Sequence, residues 1–248
     1  MSKERQKQKK QERIDLEKEE KTSLATQTPE IAAQKLAVKI RELYPNATPF
    51  ELDKLYIPKA NIYSTEEFLE EHKLENLEEF IKYYFKELIP SITEYKKLRN
   101  RVKKMDTKLK FAKKSSKFKI GDEAKYHVKI PDRKFLMVFS PSAIRACDVH
   151  RATRDLEGGS IKLIHKNRVP DDLKKLKTTW SRILCGTPGR LDLLLRFQQG
   201  EIKASEIDTI IVDMFMDDKL RTLFEYTETF DIISKLIEQN PSLKVVLY

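Results

Sequence analysis

The chain has 248 residues, with 49 Lys and Arg against 39 Asp and Glu, a formal net charge of +10 and a pI near 9.3. That length holds one sizeable α/β core with additions or two small domains, and 35% charged residues implies that part of the chain lies outside any core. The excess of cations favours a polyanionic partner without naming one, and the longest apolar run, Phe135 to Phe139, is far too short to cross a bilayer.

Residues 1–27 are polar and mixed in charge, and they predict a disordered or frayed tail. From 28 to 119 a helical region is expected. It opens with Thr28 as N-cap and Pro29 at the first helical position, and Ala32, Leu36, Ile40 and Leu43 recur on one face. Ile31 stands where a capping box would need an acid. Residues 44–63 carry three prolines among apolar and aromatic residues and read as an ordered, extended arm. "STEE" then signals a helix start at Ser64, continued by Leu77, Ile81, Tyr84 and Leu88 at helical spacing.

The segment 96–119 changes character. It holds twelve Lys or Arg and one acid, Asp106, so it exceeds the net charge of the whole chain. It predicts a basic helix end running into a mobile loop, with Arg99, Arg101, Lys103, Lys104, Lys113 and Lys114 as candidate contacts to a polyanion.

From 120 to 248 short apolar runs alternate with amphipathic stretches. The runs are "KFLMVFS", "SIKLIHK", "SRILCG", "IDTIIVDMF" and "LKVVLY". This alternation predicts an α/β domain, a parallel sheet with helices on both faces. Ligands of such sheets lie at the carboxyl ends of the strands, which singles out Pro141, Ser142, Lys166, Asn167, Gly186 to Arg190 and Asp213.

Two strand ends are shaped like anion sites. In "TPGR", Thr187 is a fair N-cap, Pro188 fits the first helical position, Gly189 admits close approach, and Arg190 adds a fork-shaped donor. The same four residues equally describe a capped helix with no ligand. "SPSAIRA" repeats the logic with Ser142 and Arg145. Asp213 closes the fourth run, but Met214, Phe215 and Met216 follow it, and none of these can bind Mg²⁺, so a loop cap is the simpler reading. A phosphate-cradling loop would need G-x-x-x-x-G-K-[ST], and none of the six glycines is followed by Lys-Ser or Lys-Thr. Cys147 and Cys185 form no C-x-x-C pair and the four histidines no H-x-x-x-H spacing, so neither a metal nor another cofactor is expected. The charged amino terminus carries no secretory pattern, and the expectation is a soluble intracellular protein.

In order and spacing these elements resemble the first RecA-like domain of DEAD-box RNA helicases. "SPSAIRA" stands at that family's P-T-R-E-L turn, "TPGR" matches its T-P-G-R element letter for letter, "IIVDMFM" stands at its D-E-A-D strand, and "LKVVLY" resembles the strand before its S-A-T motif. Met214 replaces the Glu of D-E-A-D, and the phosphate loop and second RecA domain are missing. More closely, from about Tyr44 to Tyr248, the chain resembles the CMS-one family, degenerate single-domain relatives of those helicases. "SAIRACDVHRATRDL", "IKLIHK", "CGTPGRLDLLL" and "VDMFMDDKLR" carry that likeness.

The resemblance implies a three-layer RecA-like sheet and a place in the nucleus and nucleolus, within the early 90S small-subunit pre-ribosome. It also implies RNA-backbone contacts at Pro141, Ser142, Thr187, Pro188, Gly189 and Arg190, with Arg145 less securely matched. The expected function is a non-catalytic ribosome-biogenesis subunit that binds pre-ribosomal RNA, assembly proteins or both, with no membrane and no small-molecule substrate. Substituting Arg190 should then weaken RNA binding without unfolding the domain. The rivals are a purely protein-binding scaffold and a nucleotide hydrolase with an unorthodox pocket.

Overall fold

The computed structural model describes residues 3–89, 92–115, 118–126, 133–179, 181–197 and 202–248. Strands β1 (Phe135–Phe139), β2 (Ser160–Leu163), β3 (Ile183–Gly186), β4 (Ile207–Val212) and β5 (Lys244–Leu247) form one all-parallel sheet in the order β2-β3-β1-β4-β5. Each matches one of the apolar runs. A parallel strand covered on both faces needs apolar side chains at every position, which is why these segments read as runs instead of alternating. Period two still sorts them by face. Phe135, Met137, Phe139, Leu184, Ile210, Val212 and Val245 enter one core, and Leu136, Val138, Ile183, Cys185, Ile211 and Val246 the other.

Helices cover both faces. The first core is closed by α2 (Pro29–Leu43), α7 (Val169–Thr178), α8 (Pro188–Arg196) and α9 (Thr227–Gln239), through side chains such as Leu36, Ile40, Leu176, Leu191, Phe230 and Ile233. The second is closed by α4 (Leu77–Tyr84) and α6 (Ala143–Thr153), through Leu77, Phe80, Ile81 and Val149. This is the three-layer α/β arrangement expected for a RecA-like domain.

The amino-terminal half departs from expectation in four ways. First, it shares the sheet's core: Ala32, Leu36, Ile40, Ile57 and Ile62 lie in the same cluster as β1 and β4, so no boundary between cores falls at 119 and 120. Second, residues 3–23, read from the sequence as a disordered or frayed tail, form a helix, α1 (Lys3–Ser23). Its last turn is fixed by Lys21, whose Nζ donates to the Leu220 carbonyl at 2.6 Å and pairs with Glu225 at 3.0 Å. Leu220 is the one described non-glycine residue at positive φ, 60°, so the lysine ties down a turn that would otherwise relax.

Third, the arm is not extended throughout. It contains α3 (Pro49–Leu55), started by a capping box in which Thr48 and Glu51 bond reciprocally. Fourth, no helix starts at Ser64. Thr65 donates its hydroxyl towards the Ala25 carbonyl, 3.5 Å away, and the chain turns through Phe68 and His72 before α4 begins at Leu77. Burial decides this conflict. Phe68 and His72 reach the ring of Phe80, with centroids 5.0 and 5.5 Å away, only because the segment leaves helical geometry.

Phe80 is fully buried and also meets Tyr248 at 4.5 Å and Tyr84 at 5.0 Å. Truncating such a side chain costs about 3–5 kcal/mol, so Phe80→Ala should lower the melting temperature by roughly 10 °C in thermal unfolding. A shift below about 2 °C would mean that this ring cluster does not hold α4 to the sheet.

Candidate functional site

The carboxyl ends of the strands gather the residues singled out from the sequence. At the end of β3, Pro188 is the first residue of α8 and Thr187 its N-cap, although the Thr187 side chain makes no capping bond; its carbonyl accepts from Arg190 and Leu191 instead. The helix ends at Arg196, and Gln199 and Gly200 lie outside the described residues. Thr187 and Gly189 are half-buried, and Pro188 is buried.

Arg190 overturns the expectation placed on it. Its side chain points into the protein and is 5% exposed. Nε and Nη2 donate to Oδ2 of Asp172, at 3.0 and 2.6 Å, and Nη2 also donates to the Asn167 carbonyl at 2.9 Å. Asp172 is wholly buried, and its other oxygen accepts from the Asn167 side chain at 2.9 Å. The guanidinium therefore balances an internal carboxylate at the start of α7 and offers no fork to a phosphate. Its substitution is a stability change, contrary to the expectation of an intact fold.

The start of α8 is also attended by an acid. A Cβ added to Gly189 would lie 2.2 Å from Oε1 of Glu228, in the first turn of α9. Glycine leaves room for that approach, and the exposed Glu228 side chain lies over the positive end of the helix.

The end of β1 behaves similarly. Ser142 caps α6, its hydroxyl accepting from the Arg145 backbone N–H at 3.1 Å, and Pro141 lies half-buried before it. Arg145 reaches sideways to the end of β4. Nε donates to Oδ2 of Asp213 at 2.7 Å and Nη2 to Oδ1 at 3.1 Å, while the guanidinium stacks 4.5 Å from the Phe215 ring centroid. The Asp213 side chain is 4% exposed and also accepts from the Phe215 backbone N–H at 3.1 Å, the loop-capping role read from the sequence. Arg145 is thus committed to this carboxylate, and the first expected anion turn loses its cation. Phe215, which sequence reading used only as a residue unable to bind Mg²⁺, is the platform for the stack.

A sixth strand position lies beyond β5. Ile62 bridges Val245 in parallel, and the Tyr63 N–H donates to the Val245 carbonyl at 2.9 Å. The chain leaving this position at the carboxyl edge is Ser64 to Glu71, with Glu66, Glu67, Glu70 and Glu71 and no glycine or lysine. His72 then stacks on Tyr248 at 4.8 Å, and the Tyr248 hydroxyl donates to the Lys73 carbonyl at 2.5 Å. Aromatic rings close this corner, and carboxylates surround it. Burial lowers the His72 pKa from its ordinary value and raises that of Tyr248.

The remaining candidates stand apart from this edge. Lys166 is exposed in the turn after β2. Arg99, Arg101, Lys103 and Lys104 lie on α5 (Ile92–Ala112), which carries the basic segment as helix as far as Ala112, with Lys113 and Lys114 in the turn that follows. Cys185 is buried beside Thr153, and burial pushes its thiol up to about 11, so it is an inert core residue. Among the described residues no group of His, Cys, Asp and Glu is placed to hold a metal, and no helix is long and apolar enough to cross a membrane.

Fold and site together define a three-layer parallel α/β domain whose strand-end charges are matched from within and whose cations face outward on a separate helix. Residues 93–245 match the CMS1 family, described as "U3-containing 90S pre-ribosomal complex subunit", and the chain belongs to this family. It is 24% identical over 247 residues to "Protein CMS1" of Saccharomyces cerevisiae, covering 92% of this chain and 68% of that protein. It is 26% identical over 229 residues to "Protein CMS1" of Chaetomium thermophilum, covering 90% and 77%.

Removing Arg190 strands the Asp172 carboxylate in the core, and breaking such a pair costs about 3–5 kcal/mol. Arg190→Ala should therefore unfold the domain at markedly lower urea, and the double variant Arg190→Met with Asp172→Leu should regain most of the loss. Full stability in Arg190→Ala would show that the pair is not structural.

Acid should also destabilise the fold. Burial lowers the pKa of native His72 and is the largest cause of the same shift at His150, so the unfolded chain, with its histidines near 6.5, takes up protons that the native state refuses. Stability should fall as pH drops through 6.5 towards the native values. His72→Phe should flatten that fall in urea titrations at pH 7.5 and pH 5.5, and an unchanged slope would exclude His72 as a contributor.

Proposed function

We propose that the chain is a non-catalytic subunit of the small-subunit pre-ribosome that holds RNA backbone through α5 while the parallel sheet serves as a rigid platform. The observation that carries this reading is the distribution of charge on α5. Arg101, Lys103, Lys104, Lys108 and Lys110 are exposed, Asp106 is the only acid between Lys96 and Lys114, and no described side chain of the helix is buried. Val102, Met105, Leu109 and Ala112, at spacings of three and four, form one half-buried stripe, and the exposed circumference is mostly cationic, with Asp106 and Phe111 also in solvent. A helix in solvent with this charge gains binding free energy by releasing counterions from a polyanion.

Family membership supports ribosome biogenesis and a nuclear, nucleolar place of work. Two features support a fold without nucleotide hydrolysis. The segment leaving Ile62 and Tyr63 brings four glutamates where a triphosphate would need cations and backbone N–H groups, and Asp213 is already neutralised by Arg145. The strand-end turns named from the sequence are, on this reading, structural caps, and the RNA contact has moved to α5.

Reversing four exposed charges on α5, with Arg101→Glu, Lys103→Glu, Lys104→Glu and Lys108→Glu, should abolish co-sedimentation with early small-subunit particles without changing the melting temperature. For single-stranded RNA the slope of log affinity against log salt should fall by about 3, at roughly 0.7 per lost phosphate contact. Unchanged co-sedimentation and slope would overturn the reading. Mg²⁺ with ATP should leave the melting temperature unmoved, and a clear stabilisation would restore the hydrolase reading.

A further inference from the structure

A cavity of about 530 Å³ opens between α1 and α2, with the loop that follows β4 as its floor. Its walls run from Glu17 to Leu24 on one side and from Lys35 to Glu42 on the other, about two helical turns each. The floor is apolar: Met214 and Phe224 are buried beneath it. Val38 stands on the α2 wall and is 47% exposed. Leu16, 65% exposed, lies one turn before Glu20 on α1 and continues the apolar track past the end of the groove.

Charge differs from wall to wall. Glu225, at the base, pairs with Lys21 of α1 at 3.0 Å and with Lys39 of α2. Lys21 also holds Glu17 at 2.8 Å, and Lys39 stands 3.5 Å from Glu42. Two lysines therefore serve three glutamates, and the network keeps a negative surplus. Among the described residues, Glu20 on the first wall and Lys35 on the second make no ion pair. From Glu12 to Glu20 five acids outnumber two cations, in a chain whose net charge is +10.

We propose that this groove receives an amphipathic α-helix of a partner protein, with apolar residues on its buried side, cations towards α1 and a carboxylate towards Lys35. The inference goes beyond RNA binding and does not depend on it. Both walls are helices whose main-chain groups are already bonded, so an occupant finds no ladder to join. It must satisfy its own backbone, as a helix does, and two turns of wall seat apolar anchors at i and i+4. Charge complementarity sets its orientation, because the acids of α1 and the cation at Lys35 lie on opposite sides. RNA suits the groove poorly, since α1 repels phosphates and the apolar floor offers them no donor. The clasp on Glu225 from both helices fixes the spacing of the walls beforehand, which lowers the ordering cost of binding.

The test places a photoreactive p-benzoylphenylalanine at position 38 of the full chain and maps its crosslinks in purified early small-subunit particles. The crosslinks should fall on one protein, within one segment whose apolar residues recur at helical spacing. That segment, as a synthetic peptide of about 20 residues, should bind the full chain, and Val38→Asp should weaken it at least about tenfold. Glu20→Lys should weaken it about threefold, and changing the facing cation of the peptide to glutamate should restore that loss, which a folding defect would not allow. The α5 charge-reversal variant should bind the peptide as the native chain does, so failure of the RNA reading leaves this result intact. Crosslinks that reach RNA, a second copy of this chain or several unrelated segments overturn the proposal, and so does the lack of any crosslink. Equal binding of the peptide by the native chain and by Val38→Asp also overturns it.

Discussion

The parallel sheet is buried on both faces, and that leaves its carboxyl edge as the place where charge must either be matched or meet a ligand. This chain matches it. Asp172 is answered by Arg190, Asp213 by Arg145, and the start of α8 by Glu228. A buried carboxylate without a partner would be too costly to keep, so each arginine is fixed by what it neutralises. Residues whose types suit phosphate binding are thereby spent on holding α7 to α8 and α6 to β4. The same chemistry that would make a ligand site makes a structural lock when the anion comes from within.

The amino-terminal segments complete that edge. Ile62 and Tyr63 extend the sheet past β5, and the following turn carries Phe68 and His72 over Tyr248. The aromatic rings remove water from the corner while the glutamates between them stay in solvent. Apolar closure and exposed negative charge thus meet at this corner. The helical region is therefore part of the sheet domain in packing as well as in sequence, with α2 lying in the first core and α4 in the second.

How much of this was legible in the sequence follows from the range of each signal. The five strands were plain, because doubly buried strands are compact runs that need no partner to be recognised. The starts of α2 and α8 were marked by Thr28, Pro29, Thr187 and Pro188. The Arg190–Asp172 pair was not legible. Asp171 and Asp172 stand side by side in "PDDLKK", one half-buried against Arg168 and one turned inward, and which of them faces the core depends on where α7 lies against α8. Ile62 was hidden for a related reason: a single bridged residue leaves no run. At Ser64 a local capping signal lost to the burial of two rings, a tertiary effect that four residues cannot report.

The cations then divide by whether the fold has already used them. Arg145 and Arg190 stand where the sequence suggested contact with RNA, yet they are immobilised and paired within the fold. Those on α5 lie where the fold makes fewer demands, and their charge reaches solvent. On the proposed reading a polyanion is attracted by the outward set, whereas the strand-end carboxylates Asp172 and Asp213 are already matched. Recognition, on that same reading, follows the exposed faces and not the crevice. If the chain grips RNA without turning over a nucleotide, as proposed, its sheet need supply no more than a stiff frame on which to display that charge.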